Sequence, residues 1–324
     1  MLRLFGMVSR DEFNARTKRL TSAIDESTVR LAKRLDRLDQ QFAELNRQIA
    51  GLDTIARTGR LRKIEDNVDA LVRHAFLNGG LPEPQATLAR RFRGLSQHEE
   101  DGLTVALFER IGADTRRFIE IGAGVNGGNS GYLARECGWT GLMLEVDPER
   151  VLRLQRRFGP AVRVVETAVT RDNINAVVTE NGLAGDIDLL SIDIDSVDYW
   201  VWEELSACRP RLVIVEYNPL FGTERAVTVP YDPEFNRREF DVPRSAYYGA
   251  SLPALVKLGA RKGYRLALLE PRGVNAFFVR DDLARDLPPL RVDHLPIASE
   301  LVADFGPDGV FPVLERAGLA LVHV

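Results

Sequence analysis

The residues best placed to do chemistry begin with "RFIEIGAGVNGGNSG", residues 117–131, where glycines at 122, 124 and 127 follow a strand-like run in G-x-G-x-x-G spacing. Glycine there lets the chain turn sharply and brings backbone N–H groups close to a ligand. Two cofactor classes use such a loop. A dinucleotide rests its pyrophosphate on the following helix N-terminus, whereas S-adenosylmethionine lays its methionine end against an acidic-Gly-x-Gly turn. Glu120 favours the second, because a carboxylate at the strand tip takes an ammonium and sits awkwardly beside a pyrophosphate. The backbone of Gly122 and Gly124 would then hold the methionine end, with polar contacts from Asn126, Asn129 and Ser130. Glu145 ends the next strand about 20 residues on, where an acid accepts ribose hydroxyls in either kind of site, so it does not discriminate. Val146 and Asp147 would stand beside the adenine, and Thr167 or Ala168 would flank the base. The loop offers no cationic partner for two phosphates, although backbone N–H groups alone can suffice.

A sulfonium is already a good leaving group, so methyl transfer needs mainly an aligned acceptor and a group to deprotonate or polarise it. Acids crowd the next two strand ends: Asp193, Asp195 and Asp198 at one, Glu216 with Tyr217 and Asn218 at the other. Asp193 and Asp195 are the catalytic candidates, one of them as a metal-free general base. Asp193, Glu216 and Asn218 together resemble the Mg²⁺ site of catechol-type O-methyltransferases, since a hard divalent ion takes oxygen ligands. A third reading is that these carboxylates cap strand ends or bind cofactor. His98, in the polar run "SQHEEDG", is a further candidate base or a surface residue. "NPLF" at 218–221 follows the fifth strand, not the fourth, which excludes the motif of amino-methylating enzymes and a DNA-adenine methylase. Residues 219–250 are too long for an ordinary connection and interleave Tyr231, Tyr247 and Tyr248 with arginines. With Tyr217, these tyrosines are candidate substrate contacts in a lid over a sugar or anionic acceptor. The plainer alternative is a packed surface excursion.

These positions need strand ends to hold them. Candidate strands are 117–122, 141–146, 162–167, 187–194 and 211–217, alternating with helical patterns as in a parallel α/β sheet. Two further runs, 263–270 and 274–280, are separated only by "PRG", too short for a crossover, so they must pair antiparallel. A parallel sheet closed by an antiparallel hairpin is the Rossmann-like arrangement of methyltransferases, whereas a dinucleotide domain continues with parallel units.

Ahead of this domain, Ile24, Thr28, Leu31, Leu35, Leu38, Phe42, Leu45, Ile49 and Leu52 alternate steps of four and three. The seam predicts an α-helical coiled coil and a homo-oligomer, with a long amphipathic helix folded on its own domain as the alternative. A second helix is expected to stop at "NGGLPEP", residues 78–84. The expected organisation is a helical arm at 1–80, a linker at 81–95, a methyltransferase domain at 96–281 and an extension at 282–324.

Composition excludes several classes. A net charge of −4 gives no global pull toward nucleic acid or anionic lipid. Two cysteines without metal spacing point to a reducing compartment rather than a disulfide framework. No apolar run approaches ~18 residues and the N-terminus lacks a secretory pattern, so a cytoplasmic protein with no membrane span is expected.

"SQHEEDGLTVALFERIG", "FIEIGAG", "GWTGLMLEVDPER", "VETAVT", "IDLLSIDIDSVDYWVWEEL", "LVIVEYN" and "GVNAFFVRDDL" occur in this order over residues 96–281. Together they resemble the FkbM-like class I methyltransferases. The resemblance implies a Rossmann-like fold, S-adenosylmethionine as cofactor, and O-methylation of a sugar or polyketide hydroxyl. It implies Glu145 as the ribose acid and places Ser96 and Gln97 where they could close over the cofactor. Ser196 stands where the family commonly has glycine. The same strand tips serve sugars, polyketides, peptides and phenols, so the acceptor is not legible. A non-catalytic scaffold that recruits partners through the coiled coil is the competing reading, although a scaffold has no need of a complete cofactor loop.

Overall fold

The computed structural model describes residues 83–291 and 309–324, together with Lys18, Asn67 and Phe305. The expected coiled coil lies outside the described residues, and of the expected second helix only Asn67 is described. Of the chain's two compact units, Met1–Glu65 and Asp66–Val324, the second holds the sheet. Within it, the Asn67 side chain donates to the Arg93 carbonyl and accepts from the Arg93 N–H.

Seven strands form one sheet: β1 (Arg117–Ile121), β2 (Thr140–Glu145), β3 (Val162–Glu166), β4 (Gly185–Ile192), β5 (Cys208–Glu216), β7 (Tyr264–Leu269) and β8 (Asn275–Arg280). Their order is β3-β2-β1-β4-β5-β8-β7. The first five pair in parallel, while β8 runs antiparallel to β5 and to β7, the latter as their five-residue connection requires. Strands covered on both faces read as nearly continuous apolar runs, and "IDLLSI" and "LVIVE" do so. One apolar layer gathers Ile119, Ile121, Leu190, Ile192, Val213 and Val215, and the opposite layer gathers Phe118, Met143, Leu189, Leu212 and Ile214.

Helices α1 (Gln85–Leu88) and α2 (Glu100–Ile111) precede the sheet, and α3 (Gly131–Glu136), α4 (Pro148–Phe158), α5 (Ile174–Glu180), α6 (Asp198–Glu204) and α7 (Leu252–Lys262) lie between its strands. Their boundaries follow capping chemistry. Asp147 accepts from the N–H groups of Glu149 and Arg150 ahead of Pro148 at the first helical position of α4. Ser251 caps α7 at one end, and Gly263 ends it in the left-handed conformation.

Beside the sheet, β6 (Val227–Thr228) pairs antiparallel with β9 (Val322–His323). A third apolar cluster joins Phe221, Val229, Val242 and Tyr247 of the long excursion to Phe305, Val310 and Leu314 of the C-terminal extension. The extension thus packs on the excursion.

Candidate active site

The strand order reverses between β1 and β4, and ligands of open α/β sheets bind in the crevice beyond the strand carboxyl ends at such a point. A cleft of about 460 Å³ opens there, lined by Gly122, Glu145, Val146, Asp147, Arg150, Thr167, Ala168, Asp193, Asp195 and residues 233 and 235–238 of the excursion. Its floor is tight. At φ +85°, Gly122 would place any Cβ 1.8 Å from the Asp193 carbonyl oxygen, so only glycine lets the two strand ends meet.

On the β1–β2 side the carboxylates are matched by donors. Glu145 is buried, and its two oxygens accept from the Gly124 N–H at 2.8 Å and from the Val146 and Asp147 N–H groups at 3.1 Å. Beside it, Val146 leaves 63% of its surface open, an apolar flank suited to a planar base. Arg150 reaches Glu145 at 3.8 Å. It was not singled out by sequence, and its signal was its place three residues after the helix cap.

Glu120 lies elsewhere than expected. It is fully buried beneath the loop, accepting from the N–H groups of Asn129 at 3.2 Å and Ser130 at 2.8 Å, and does not line the cleft. Burial pushes its carboxyl up to about 7 against the lowering effect of those bonds. Asn129 donates to Ser191, Ser130 donates to the Gly127 carbonyl, and Asn126 donates to the Leu95 carbonyl. The three residues anchor the loop from within.

On the β4–β5 side the acids outnumber their donors. Oxygens of Asp193, Asp195 and Glu216 come within 4.8 Å of one another. Burial, reinforced by the neighbouring acids, holds the Asp193 carboxyl well above its usual range. Glu216 is shifted the same way, with burial the largest cause, then Asp193. Asp195 takes φ +56°, a left-handed position an aspartate tolerates, and so makes the turn where the resemblance expects glycine at the next residue. Asp198 instead caps that turn, accepting from the Ile194 N–H at 2.9 Å and the Ser196 N–H at 3.0 Å. Arg237 pairs with Asp195 and stacks on Tyr248, its guanidinium carbon 4.5 Å from the ring centroid.

Several expected site residues serve the fold instead. The Asn218 side chain is engaged by the fold: it donates to the Ala246 and Tyr248 carbonyls and accepts from the Leu220 N–H. Asp195 joins Asp193 and Glu216 in the acidic cluster. Tyr217 is buried in the apolar layer that holds Val213 and Val215, on the face opposite Glu216 because side chains alternate along a strand, and neither residue lines the cleft. Tyr247 packs against Phe235 and Phe240 and is buried in the third cluster. Tyr231 bonds Asp172 at 2.7 Å and packs edge-on against Trp200, outside the cleft lining. Ser96 and His98 belong to the turn before α2: Asp101 accepts from the N–H groups of Gly94, Leu95 and Ser96, and Glu100 from that of His98. Neither these nor the exposed Gln97 lines the cleft.

Sequence reading missed a row of buried polar groups continuing past Glu216. Asn275 stands opposite Glu216 across β5 and β8 and donates to Glu100 at 3.1 Å. Glu270, fully buried at the end of β7, is pushed up to about 8, chiefly by burial. The acid ending the apolar run "YRLALLE" was its signal.

No family model and no curated protein sequence matches the chain. Among solved structures, it is similar to an O-methyltransferase from Bacillus cereus in complex with SAH, at 16% identity over 67% of this chain and 100% of that one, TM-score 0.39. It is similar to the N-terminal domain of EvdMO1 with SAH bound, at 16% identity over 66% and 94% of the two chains, TM-score 0.36. A TehB-like SAM-dependent methyltransferase from Corynebacterium glutamicum aligns at 12% identity over 55% and 86%, TM-score 0.34.

Proposed function

We propose that the cleft binds S-adenosylmethionine and that the protein transfers its methyl group to a hydroxyl of a sugar or natural-product acceptor. The observation that carries this reading is where the loop donors go. The N–H groups of Asn129 and Ser130, at the start of α3, are taken by Glu120, and that of Gly124 is taken by Glu145. A pyrophosphate needs such donors, so a dinucleotide is disfavoured. The rim meanwhile sets Glu145, Asp147, Asp193 and Asp195 among Arg150, Arg237 and Arg238, so it offers acids to a sulfonium and an ammonium and cations to a carboxylate.

Glu145 keeps one lone pair on Oε2 for a ribose hydroxyl, and Val146 covers one face of the adenine. When bound, the cofactor supplies an electrophilic methyl group. Asp193 aligns the acceptor hydroxyl and, with Glu216, takes its proton as the new O–C bond forms. A raised carboxyl pKa makes that pair a better base than a free carboxylate.

Calorimetric titration with S-adenosylhomocysteine tests the reading. One site per chain with micromolar Kd is expected, and no binding would leave the scaffold reading standing. Asp193→Asn should retain most of this affinity and lose at least 100-fold in turnover. The oligomer expected from residues 24–52 is a separate proposal. Deleting residues 1–58 should lower the mass in light scattering, and an unchanged assembly would sink it.

A further inference from the structure

We propose that Asp195, Glu216 and the Tyr248 ring form a box for an organic cation, plugged at rest by Arg237 and filled in use by the ammonium of an amine-bearing acceptor. The box stands on these side chains alone; its part in acceptor binding rests on the methyl-transfer reading. Its acids come from two adjacent strand ends, where oxygens of Asp193, Asp195 and Glu216 lie within 4.8 Å of one another. Its aromatic face comes from the excursion. Asn218 holds the Tyr248 carbonyl at 3.1 Å, and burial, then the Glu216 charge, keeps the Tyr248 phenol well above its usual range.

A second observation points to a ligand. Glu216 is 8% exposed, and its Oε2 atom is buried without a hydrogen-bond partner among the described residues. A buried carboxylate oxygen normally finds a donor, and leaving it bare is costly. Asn275, opposite Glu216 in the register, commits its amide nitrogen to Glu100. The partner that Glu216 lacks must therefore be brought in.

Arg237 shows which chemistry the box takes. Its guanidinium pairs with Asp195 and lies on the Tyr248 ring, 4.5 Å from the centroid. An aromatic face flanked by carboxylates suits such an organic cation. Arg237 lines the cleft, whereas Glu216 and Tyr248 do not, so the guanidinium closes the box on its cleft side. It is carried by the short 3-10 turn Arg237–Glu239 of the excursion, and its departure leaves the strand ends in place. At rest it answers Asp195 and leaves the Glu216 oxygen bare. A compact ammonium with three donors can bridge both carboxylates. Glu216 then keeps its second oxygen for the proton shared with Asp193, and Asp193 faces the acceptor hydroxyl from the cleft. The fitting acceptor is an amino sugar or another amino alcohol.

Chemical rescue of the vacated box tests this, with methylguanidinium as probe, neutral methylurea as shape control and ligand-detected NMR on the full chain. Arg237→Ala should bind one methylguanidinium per chain with millimolar Kd, about 10-fold tighter than methylurea and about 10-fold tighter than wild type binds it. Adding Glu216→Gln should weaken that binding about 10-fold, and adding Tyr248→Leu several-fold. Thermal melts of every variant report that the fold is intact. Methylguanidinium binding no tighter than methylurea would overturn the box, as would binding that Glu216→Gln leaves unchanged. Saturating S-adenosylhomocysteine should not displace the probe; displacement would give the box to the cofactor's own ammonium and overturn its acceptor role. D-glucosamine should bind wild type about 10-fold tighter than D-glucose, and a lack of preference would also overturn that role. Probe binding to Arg237→Ala without S-adenosylhomocysteine binding to wild type would sink the methyl-transfer reading alone.

Discussion

Glu145 and Glu216 end two strands of one sheet, on the same edge, and both are buried. Their surroundings differ. Glu145 accepts three backbone N–H groups, two from the residues that follow it and one from the glycine loop. Glu216 has a bare buried oxygen and faces two further acids. A carboxylate answered by its own loops is finished by folding, and it can hold a neutral or cationic group while staying in place. A carboxylate left unanswered stores a charge deficit that a ligand, a proton or a mobile arginine must relieve. One half of the cleft is thus preorganised by backbone, and the other half is poised.

The sharpest break of the finished half is Gly122→Ala. A Cβ 1.8 Å from the Asp193 carbonyl at φ +85° has no room, and the cost should reach about 4 kcal/mol or more. Urea unfolding should show it, together with loss of S-adenosylhomocysteine binding. Next is Glu145→Ala, which removes the acid proposed to hold the ribose and frees three N–H groups. Affinity for S-adenosylhomocysteine should fall roughly 10–100-fold, the worth of charged hydrogen bonds. A fall below threefold would place the ribose elsewhere.

The poised half predicts a pH signature. Burial raises the Glu270 carboxyl in the fold to about 8, from its ordinary value of 4.5. The folded chain therefore binds a proton that the unfolded chain releases, and stability falls as pH rises between those values. The contribution is full below about 4.5 and lost above about 8. Thermal melts across this range should slope downward, and Glu270→Gln should make the slope shallower. An identical slope in the variant would show that Glu270 is already ionised in the fold. The smallest effect is expected from Tyr231→Phe, which loses only an exposed bond to Asp172 and should change Tm by about 1 °C or less.

Much of this architecture was legible in the chain. The runs that became β1 to β5, β7 and β8 are short, apolar and bounded by turn residues, and each forms close to its expected position. The short connection around "PRG" leaves only antiparallel pairing open to the last two strands. Glu145 was legible for a local reason: it ends a strand just before a capped helix, so the turn itself presents it. What escaped was which face each polar side chain takes and what it meets. Tyr217 and Glu216 are adjacent in sequence yet on opposite faces of the sheet, a parity that a shift of one residue would reverse. Asn218 looked like a ligand by composition, but the excursion brings the Ala246 and Tyr248 carbonyls onto its amide.

The amino-acid order by itself therefore determined the elements, their alternation and the identity of the loop and strand-end acids. Hydrophobic periodicity, capping residues and glycine freedom act over a few residues and can be read locally. Only the tertiary structure decided that Glu120 seals the loop from below, that Asp195 comes beside Asp193 and Glu216, and that Arg237 reaches back to the fourth strand end. Those outcomes depend on contacts between distant segments, where burial and competition for each hydrogen bond choose the partner.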